Sequence, residues 1–376
     1  MKKYYLYAPG PTAVPDEVLA ALAKPILHHR TPQFSQMIER IRQDLKPLFQ
    51  TKQEVMIFAA SGTGAMEGTV ANLLSPGDTA ITVEGGKFGQ RWGQLCQAYS
   101  VKTIIHGIQW RETVKPEDVE QLLSQNPETK AVFTQLVETS TGVLNDIKAL
   151  AEVTAKTDAV LVVDTVSSLG ADEFRMDEWG VDVNVAGSQK AMMLPPGLAF
   201  VAVSEKAWNL VEVAKSPRYY FDFRKQLKSQ QKNSTPYTPA ISLIYGLRVS
   251  LDMIKAEGME AIWARHARLA KACRAGVTAL GLELLAERPA NGVTAVKIPE
   301  GVDGNAFLKD LRDIEGITIA GGQEHLKGHI FRIAHMGWSV ENDVLTALAG
   351  VERALAREGY KIEPGAALAA AQSALL

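Results

Sequence analysis

Three charged residues in this chain of 376 stand alone in apolar surroundings, and each is of a type that does chemistry when water is scarce. Lys190 is the only charged residue between Asp182 and Glu205 and is followed by Ala191-Met192-Met193-Leu194. Burial disfavours an ammonium, lowers the lysine pKa and supplies the free amine that a Schiff base needs; a solvated surface lysine is the ordinary alternative. Asp164 closes the run Ala159-Val160-Leu161-Val162-Val163 and is the only charge between Asp158 and Asp172. Either it stays ionised beside a cation, for which a protonated pyridine nitrogen is suitable, or it caps a helix or opens a solvated loop. Arg332 sits in Ile330-Phe331-Arg332-Ile333-Ala334. It is read either as a planar fork for a carboxylate or as a strand arginine whose stem packs on the sheet while its head reaches water.

A fourth segment offers backbone. The small residues of Ser61–Gly68 fall between an apolar strand and a helix, where N–H groups can approach an anion. The same segment imitates a dinucleotide fingerprint, since Gly62-Thr63-Gly64 follows a strand and Glu84 ends the next one. Glu67 occupies the third glycine position and argues against it.

These residues need elements to carry them. Apolar, β-branched runs at Val55–Ala60, Thr79–Glu84, Val101–His106, Ala131–Val137, Ala159–Thr165, Val181–Ala186 and Leu198–Ser204 alternate with helical stretches such as Pro116–Ser124 and Ile147–Lys156. That alternation predicts a doubly wound, mainly parallel α/β sheet. If the sheet is parallel, Ser61, Glu138–Gly142, Asp164 and Gly187–Lys190 converge on its carboxyl rim, where ligands collect in such folds. A structured loop is expected over Ser216–Pro239, then one long helical pattern from Ile241 to about Leu280. Strands at Thr294–Ile298, Ile317–Ala320 and Ile330–Ala334, with helices at Asn305–Ile314 and Glu341–Glu358, make a small α+β unit. The expected division is an N-terminal segment (1–20), a large domain (21–255) and a small C-terminal domain (256–376). The alanine-rich tail after Pro364 is read as a short helix or a frayed end.

Composition limits the partners. A formal net charge of −2 and 22% charged residues give no electrostatic reason to expect nucleic acid or an anionic membrane. No apolar run approaches a membrane span, the first residues break at Pro9-Gly10 before any signal-like stretch, and two distant cysteines make no metal-ligand spacing. The expectation is a cytoplasmic protein that handles small solutes and holds no metal.

The strand-end Asp164 followed 26 residues later by Lys190 in Gly187-Ser188-Gln189-Lys190 resembles the fold-type I pyridoxal phosphate enzymes, class V aminotransferase branch. Val162-Val163-Asp164-Thr165-Val166-Ser167-Ser168 is similar to that family's pyridine-binding strand and Ser61-Gly62-Thr63 to its phosphate turn. Pro9-Gly10-Pro11-Thr12, Arg30-Thr31-Pro32, Thr139-Ser140-Thr141-Gly142 and Phe331-Arg332-Ile333 also fit, so the resemblance runs from about Pro9 to Gly359. It is nearest to alanine–glyoxylate and serine–pyruvate aminotransferases. What the resemblance implies is pyridoxal 5′-phosphate carried covalently on Lys190, which also moves the substrate's α-proton, with Asp164 keeping the pyridine nitrogen protonated. It further implies Ser61, Gly62, Thr63 and Gln189 at the phosphate, Thr139 at the ring's hydroxyl side, Val166 beneath the ring, and Phe88 stacked on it where many relatives carry tryptophan. Arg332 and Gly10 fall at the substrate carboxylate. The family's dimer partner reaches the phosphate from the loop holding Asn233–Pro239, so Thr235 or Thr238 would supply a hydroxyl and a homodimer with shared sites is expected.

The reaction so implied moves an amino group from a small amino acid such as alanine or serine to a 2-oxo acid such as glyoxylate or pyruvate. His28, His29, Tyr219 and Tyr220 are expected at the pocket entrance. Aspartate is the alternative donor if Arg30 or Arg218 binds a second carboxylate. A desulfurase or lyase would need a cysteine in a mobile loop, and Cys96 and Cys273 both fall in helical stretches. Loss of Lys190 or Asp164 would have favoured a non-catalytic subunit, as suggested for relatives associated with hydrogenases; both residues are present.

Overall fold

The computed structural model describes residues 3–376. Seven strands form the large sheet: β1 (Val55–Ala60), β2 (Thr79–Glu84), β3 (Lys102–Gly107), β4 (Thr129–Gln135), β5 (Val160–Asp164), β6 (Val183–Gly187) and β7 (Gly197–Val203). Their order across the sheet is β1-β7-β6-β5-β4-β2-β3. All neighbours from β6 to β3 pair in parallel, whereas β7 runs antiparallel to both β6 and β1. Two antiparallel steps restore direction, so β1 points the same way as β4, β5 and β6. The carboxyl ends of those four strands therefore share one rim.

The strands read as nearly unbroken apolar runs because both faces are covered. Val55, Ile57, Leu161, Val163, Phe200 and Ala202 enter one core, and their neighbours Met56, Phe58, Val160, Val162, Ala199 and Val201 enter the other. The outer edge of β1 is sealed by side chains. Gln226 and Gln230, on the helix Phe223–Gln230 inside the expected loop, donate to Ile57 O and Val55 O at 2.8 and 2.6 Å, and Ile57 N donates to Gln230 Oε1 at 3.0 Å. Backbone groups of an edge strand that would template foreign pairing are thereby satisfied.

Three expectations need correction. The strand expected over Ile317–Ala320 is two, Ile317–Thr318 pairing with Tyr5–Leu6 and Ala320–Gly321 with Phe331–Arg332. The strand expected over Ala131–Val137 stops at Gln135; Leu136 N turns to Asp164 O at 2.9 Å, and Val137–Glu138 folds back on Val143–Leu144. The single long helix is two, Ile241–Glu257 and Met259–Ala279, parted by Gly258 at φ +83°. Apolar periodicity runs through the break, but a left-handed glycine ends a helix whatever pattern follows.

A second sheet, β8 (Val293–Lys297), β9 (Ala320–Gly321) and β10 (Ile330–Ala334), is antiparallel in the order β8-β10-β9. It packs with Leu269, Cys273 and Val277 of the second long helix and with Val344, Leu348 and Leu355 of the helix Glu341–Arg357. The tail forms the helix Ala366–Leu375, with Ala367 and Ala371 fully buried, and its start is held by Glu352, which accepts from Gly365 N and Ala367 N at 3.0 and 2.8 Å. The chain's first strand, Tyr5–Leu6, joins this smaller core by pairing in parallel with Ile317–Thr318. No helix among the described residues is long and apolar enough to cross a membrane.

Candidate active site

At the shared rim the chain leaves a small cavity of about 80 Å³. Its lining contains Ser61, Gly62, Thr63, Phe88, Thr139, Asp164, Val166, Gln189 and Lys190, nine of the residues singled out from sequence. Met66, Arg91 and Ser167 complete it.

Lys190 follows β6 and is only 8% exposed. Its Nζ donates to Pro9 O, and its own carbonyl accepts from Thr12 Oγ1 at 3.0 Å, so the Pro9–Thr12 segment is folded around the lysine. A Cβ on Gly10 would lie 2.2 Å from Lys190 Nζ, and Gly10 has φ +118°. Only glycine lets the backbone approach the amine so closely. Burial pushes the Lys190 pKa down to about 8, helped by the Arg332 and Arg91 charges and opposed by Asp164.

Asp164 ends β5, is 6% exposed and accepts from Val166 N at 2.7 Å. Burial lifts its carboxyl to about 6; the Val166 hydrogen bond and the nearby Arg91 and Lys190 pull it back, while Glu138 pushes further up. An amine held down and a carboxyl held up in one cavity form a pair of perturbed groups typical of reactive sites.

In the same cavity, the helix Gly62–Leu73 starts at Ser61 with no side-chain cap, which leaves its first N–H groups to an outside acceptor. Gln189 adds a terminal amide whose buried oxygen has no protein partner. Its oxygen and nitrogen exchange places by a flip of the group, so the amide can present a donor. Arg91 supplies a cation: Nη1 donates to Thr63 Oγ1 at 3.1 Å and the guanidinium lies 4.9 Å from the Phe88 ring centroid. Thr139 Oγ1 and Ser167 Oγ share a hydrogen bond on the remaining side. A bare helix N-terminus, hydroxyls and a guanidinium gathered in one cavity with a carboxyl and an amine fit an anionic, basic heterocycle with an aldehyde carbon.

Arg332 is reached indirectly. Its head does not extend to water: Nε and Nη2 donate to Gly321 O at 3.0 and 2.7 Å, and Nη1 to Thr139 O at 2.8 Å. Burial pulls its pKa down to about 10 against the opposing Glu138 charge. It does not line the cavity itself and meets it through Thr139.

Other expected residues stay outside the cavity of the single chain. Thr235 donates to Tyr237 O at 2.7 Å, and both Thr235 and Thr238 face a shallow groove beside Ile57–Ala59. His28, His29, Tyr219 and Tyr220 are absent from the cavity wall. Arg218 spends its guanidinium on Ala71 O, Val211 O, Ala214 O and Ser216 O, which removes it as a second carboxylate site. Arg30 is held by Ser234 Oγ and Thr235 O. Cys96 and Cys273 are fully buried with pKa values pushed up to about 12, the opposite of what a nucleophilic thiolate needs.

Two residues were given no role in the sequence. Arg91 lies one turn beyond Phe88 in the same helix, which was the available signal. Glu138, named there only as part of the rim segment Glu138–Gly142, ends the short strand Val137–Glu138 and precedes Thr139; it is 1% exposed and takes no cation.

The family model for class V aminotransferases matches residues 4–338, and the chain belongs to that family. Among curated relatives, the chain is 44% identical to the small subunit of a soluble hydrogenase from Synechococcus, over 99% of this chain and 98% of the relative. It is 39% identical to the L-aspartate–glyoxylate aminotransferase of Paracoccus denitrificans, over 98% of this chain and 95% of that one. The fold-type I architecture is shared with the ureidoglycine–glyoxylate aminotransferase of Bacillus subtilis, at TM-score 0.96 and 29% identity, over 100% of this chain and 98% of that one.

Proposed function

We propose that this class V aminotransferase holds pyridoxal 5′-phosphate covalently on Lys190 and transfers the amino group of a small amino acid, alanine or serine, to a 2-oxo acid, glyoxylate or pyruvate. The observation that carries the reading is the convergence of a desolvated amine and a buried carboxyl in one cavity that a bare helix N-terminus also lines. Both solved or curated aminotransferases named above use glyoxylate, by their own descriptions.

Bound there, the cofactor supplies an electron sink for the carbon that loses its proton. Ser61, Gly62, Thr63 and Gln189 would hold its phosphate, Val166 and Phe88 its two faces, and Thr139 its hydroxyl edge. Asp164 would hold a proton on the ring nitrogen, an ion pair that brings its own carboxyl back down. Lys190, the one buried lysine among the described residues, would move the proton at that carbon through Nζ. Arg332 offers guanidinium N–H groups to the substrate carboxylate while Gly321 O and Thr139 O keep its plane fixed.

The separation of Thr235 and Thr238 from their own cavity supports a homodimer in which one of them reaches the partner's phosphate. A cytoplasmic location completes the proposal. An absorbance spectrum of the purified protein tests it first: a visible band that shifts on adding amino donor is expected, and Lys190→Ala should lose both band and turnover. Full turnover by Lys190→Ala would end the proposal. A panel of donors against glyoxylate and pyruvate then ranks alanine, serine and aspartate.

A further inference from the structure

Glu138 is the most deeply buried acid near the cavity, yet it does not line it. Burial pushes its pKa up, and the donors that face both of its oxygens, from Ser140, Gly89 and Phe88, pull it back towards the carboxylate. Gly89 N lies 2.9 Å and Phe88 N 3.2 Å from Oε2, while Ser140 N lies 3.1 Å from Oε1, which also receives the Ser140 hydroxyl. Ser140 Oγ accepts in turn from Lys87 N at 3.0 Å. The helix Lys87–Ala98 has no side-chain cap of its own, so Glu138 and Ser140 together occupy its N-terminus, where an anion is favoured. On its other side, Glu138 O accepts from Thr141 N and Gly142 N at 3.1 and 2.8 Å, closing the turn that presents Thr139. Thr139 O in turn fixes Arg332 Nη1.

We infer that Glu138 is a positioning residue, a buried anionic clamp that sets the Phe88 ring, the Thr139 hydroxyl and the Arg332 fork at fixed distances from one another. Those three groups come from different elements: Phe88 from the first turn of a helix, Thr139 from the turn after β4, Arg332 from β10 of the second sheet. Their mutual placement is what a planar ring gripped on one face and one edge, with a carboxylate beside it, requires. A displacement of about 1 Å in such groups is costly for catalysis. Glu138 touches neither ring nor substrate and acts through the amides it gathers. The inference rests on the cofactor assignment above.

The test compares the full chain with Glu138→Gln and Glu138→Asp, with melting temperature as the control for folding. In cofactor-free protein, hydrogen exchange at the amides of Phe88 and Gly89 should rise at least roughly tenfold in Glu138→Gln, because a neutral amide turns one donor toward those N–H groups. Titration with pyridoxal 5′-phosphate should show affinity about tenfold weaker and a reduced visible circular-dichroism band, reporting a loosened ring. Glu138→Asp should retain part of both. Should Glu138→Gln fail to fold, Ser140→Ala carries the test, with smaller changes of the same sign. Faster exchange with unchanged affinity and dichroism would reduce Glu138 to a helix cap and overturn the inference, as would no change in either. If the unsubstituted chain binds no pyridoxal phosphate, the functional proposal itself fails, and the exchange measurement still decides whether the clamp exists.

Discussion

Lys190→Met should change the stability of the cofactor-free protein in a way that depends on pH and tests the buried amine directly. Folding lowers the lysine pKa from 10.5 to about 8. Holding the ammonium in that cavity therefore costs about 3 kcal/mol at neutral pH, at about 1.4 kcal/mol per pKa unit. The folded state binds this proton more weakly than the unfolded state. The penalty is fully present below about 8, shrinks as pH rises towards 10.5, and is gone above it. Methionine carries no such penalty, though it loses the bond to Pro9 O and leaves that carbonyl without its donor. Those losses are the same at every pH and cancel when two pH values are compared. The stability of Lys190→Met relative to the unsubstituted protein should thus fall by about 2 kcal/mol between about pH 7 and about pH 9.5. Asp164, deprived of a neighbouring cation, adds to that fall with the same sign. Urea unfolding of both cofactor-free proteins, at one protein concentration and both pH values, measures it. A relative stability independent of pH, or one that grows with pH, would refute the desolvated lysine.

Arg332→Lys keeps the charge and loses the fork, and should lower kcat/KM for amino donor and 2-oxo acid alike by about two orders of magnitude while pyridoxal phosphate affinity stays near normal; steady-state kinetics with both substrates checks this. Gly10→Ala forces a side chain into left-handed backbone against Lys190, and should cost on the order of 1–3 kcal/mol of stability, read as a lowered urea midpoint, together with slower formation of the visible band.

Much of the site was legible because it breaks a rule. A lone charge beside an apolar strand run has to be explained; Asp164 ended such a run, and Lys190 stood between one and the apolar Ala191-Met192-Met193-Leu194. The turn at Ser61–Gly64 was legible in its small residues. The antiparallel course of β7 was not, since both faces of β7 are buried and an apolar run carries no sign of direction. Glu138 was hidden for a different reason. Its partners Phe88 and Gly89 lie about fifty residues earlier in the chain, and nothing local distinguishes a clamp from an acid on a solvated turn. Arg332 could be placed on a strand but not oriented, because the carbonyls that hold its head, Gly321 O and Thr139 O, belong to other segments. The Gly258 break was visible as a glycine, and the apolar periodicity on either side outweighed it.

The first strand of the chain pairs with the second sheet's unit through Ile317–Thr318, and Tyr7 O accepts from Ala334 N at 2.7 Å, yet three residues later the same segment is wrapped around Lys190. That short arm is a connecting rod. Any displacement of Ala334, which holds Tyr7 O, has only Ala8 in which to be absorbed before it reaches Pro9 O, the acceptor for Lys190 Nζ.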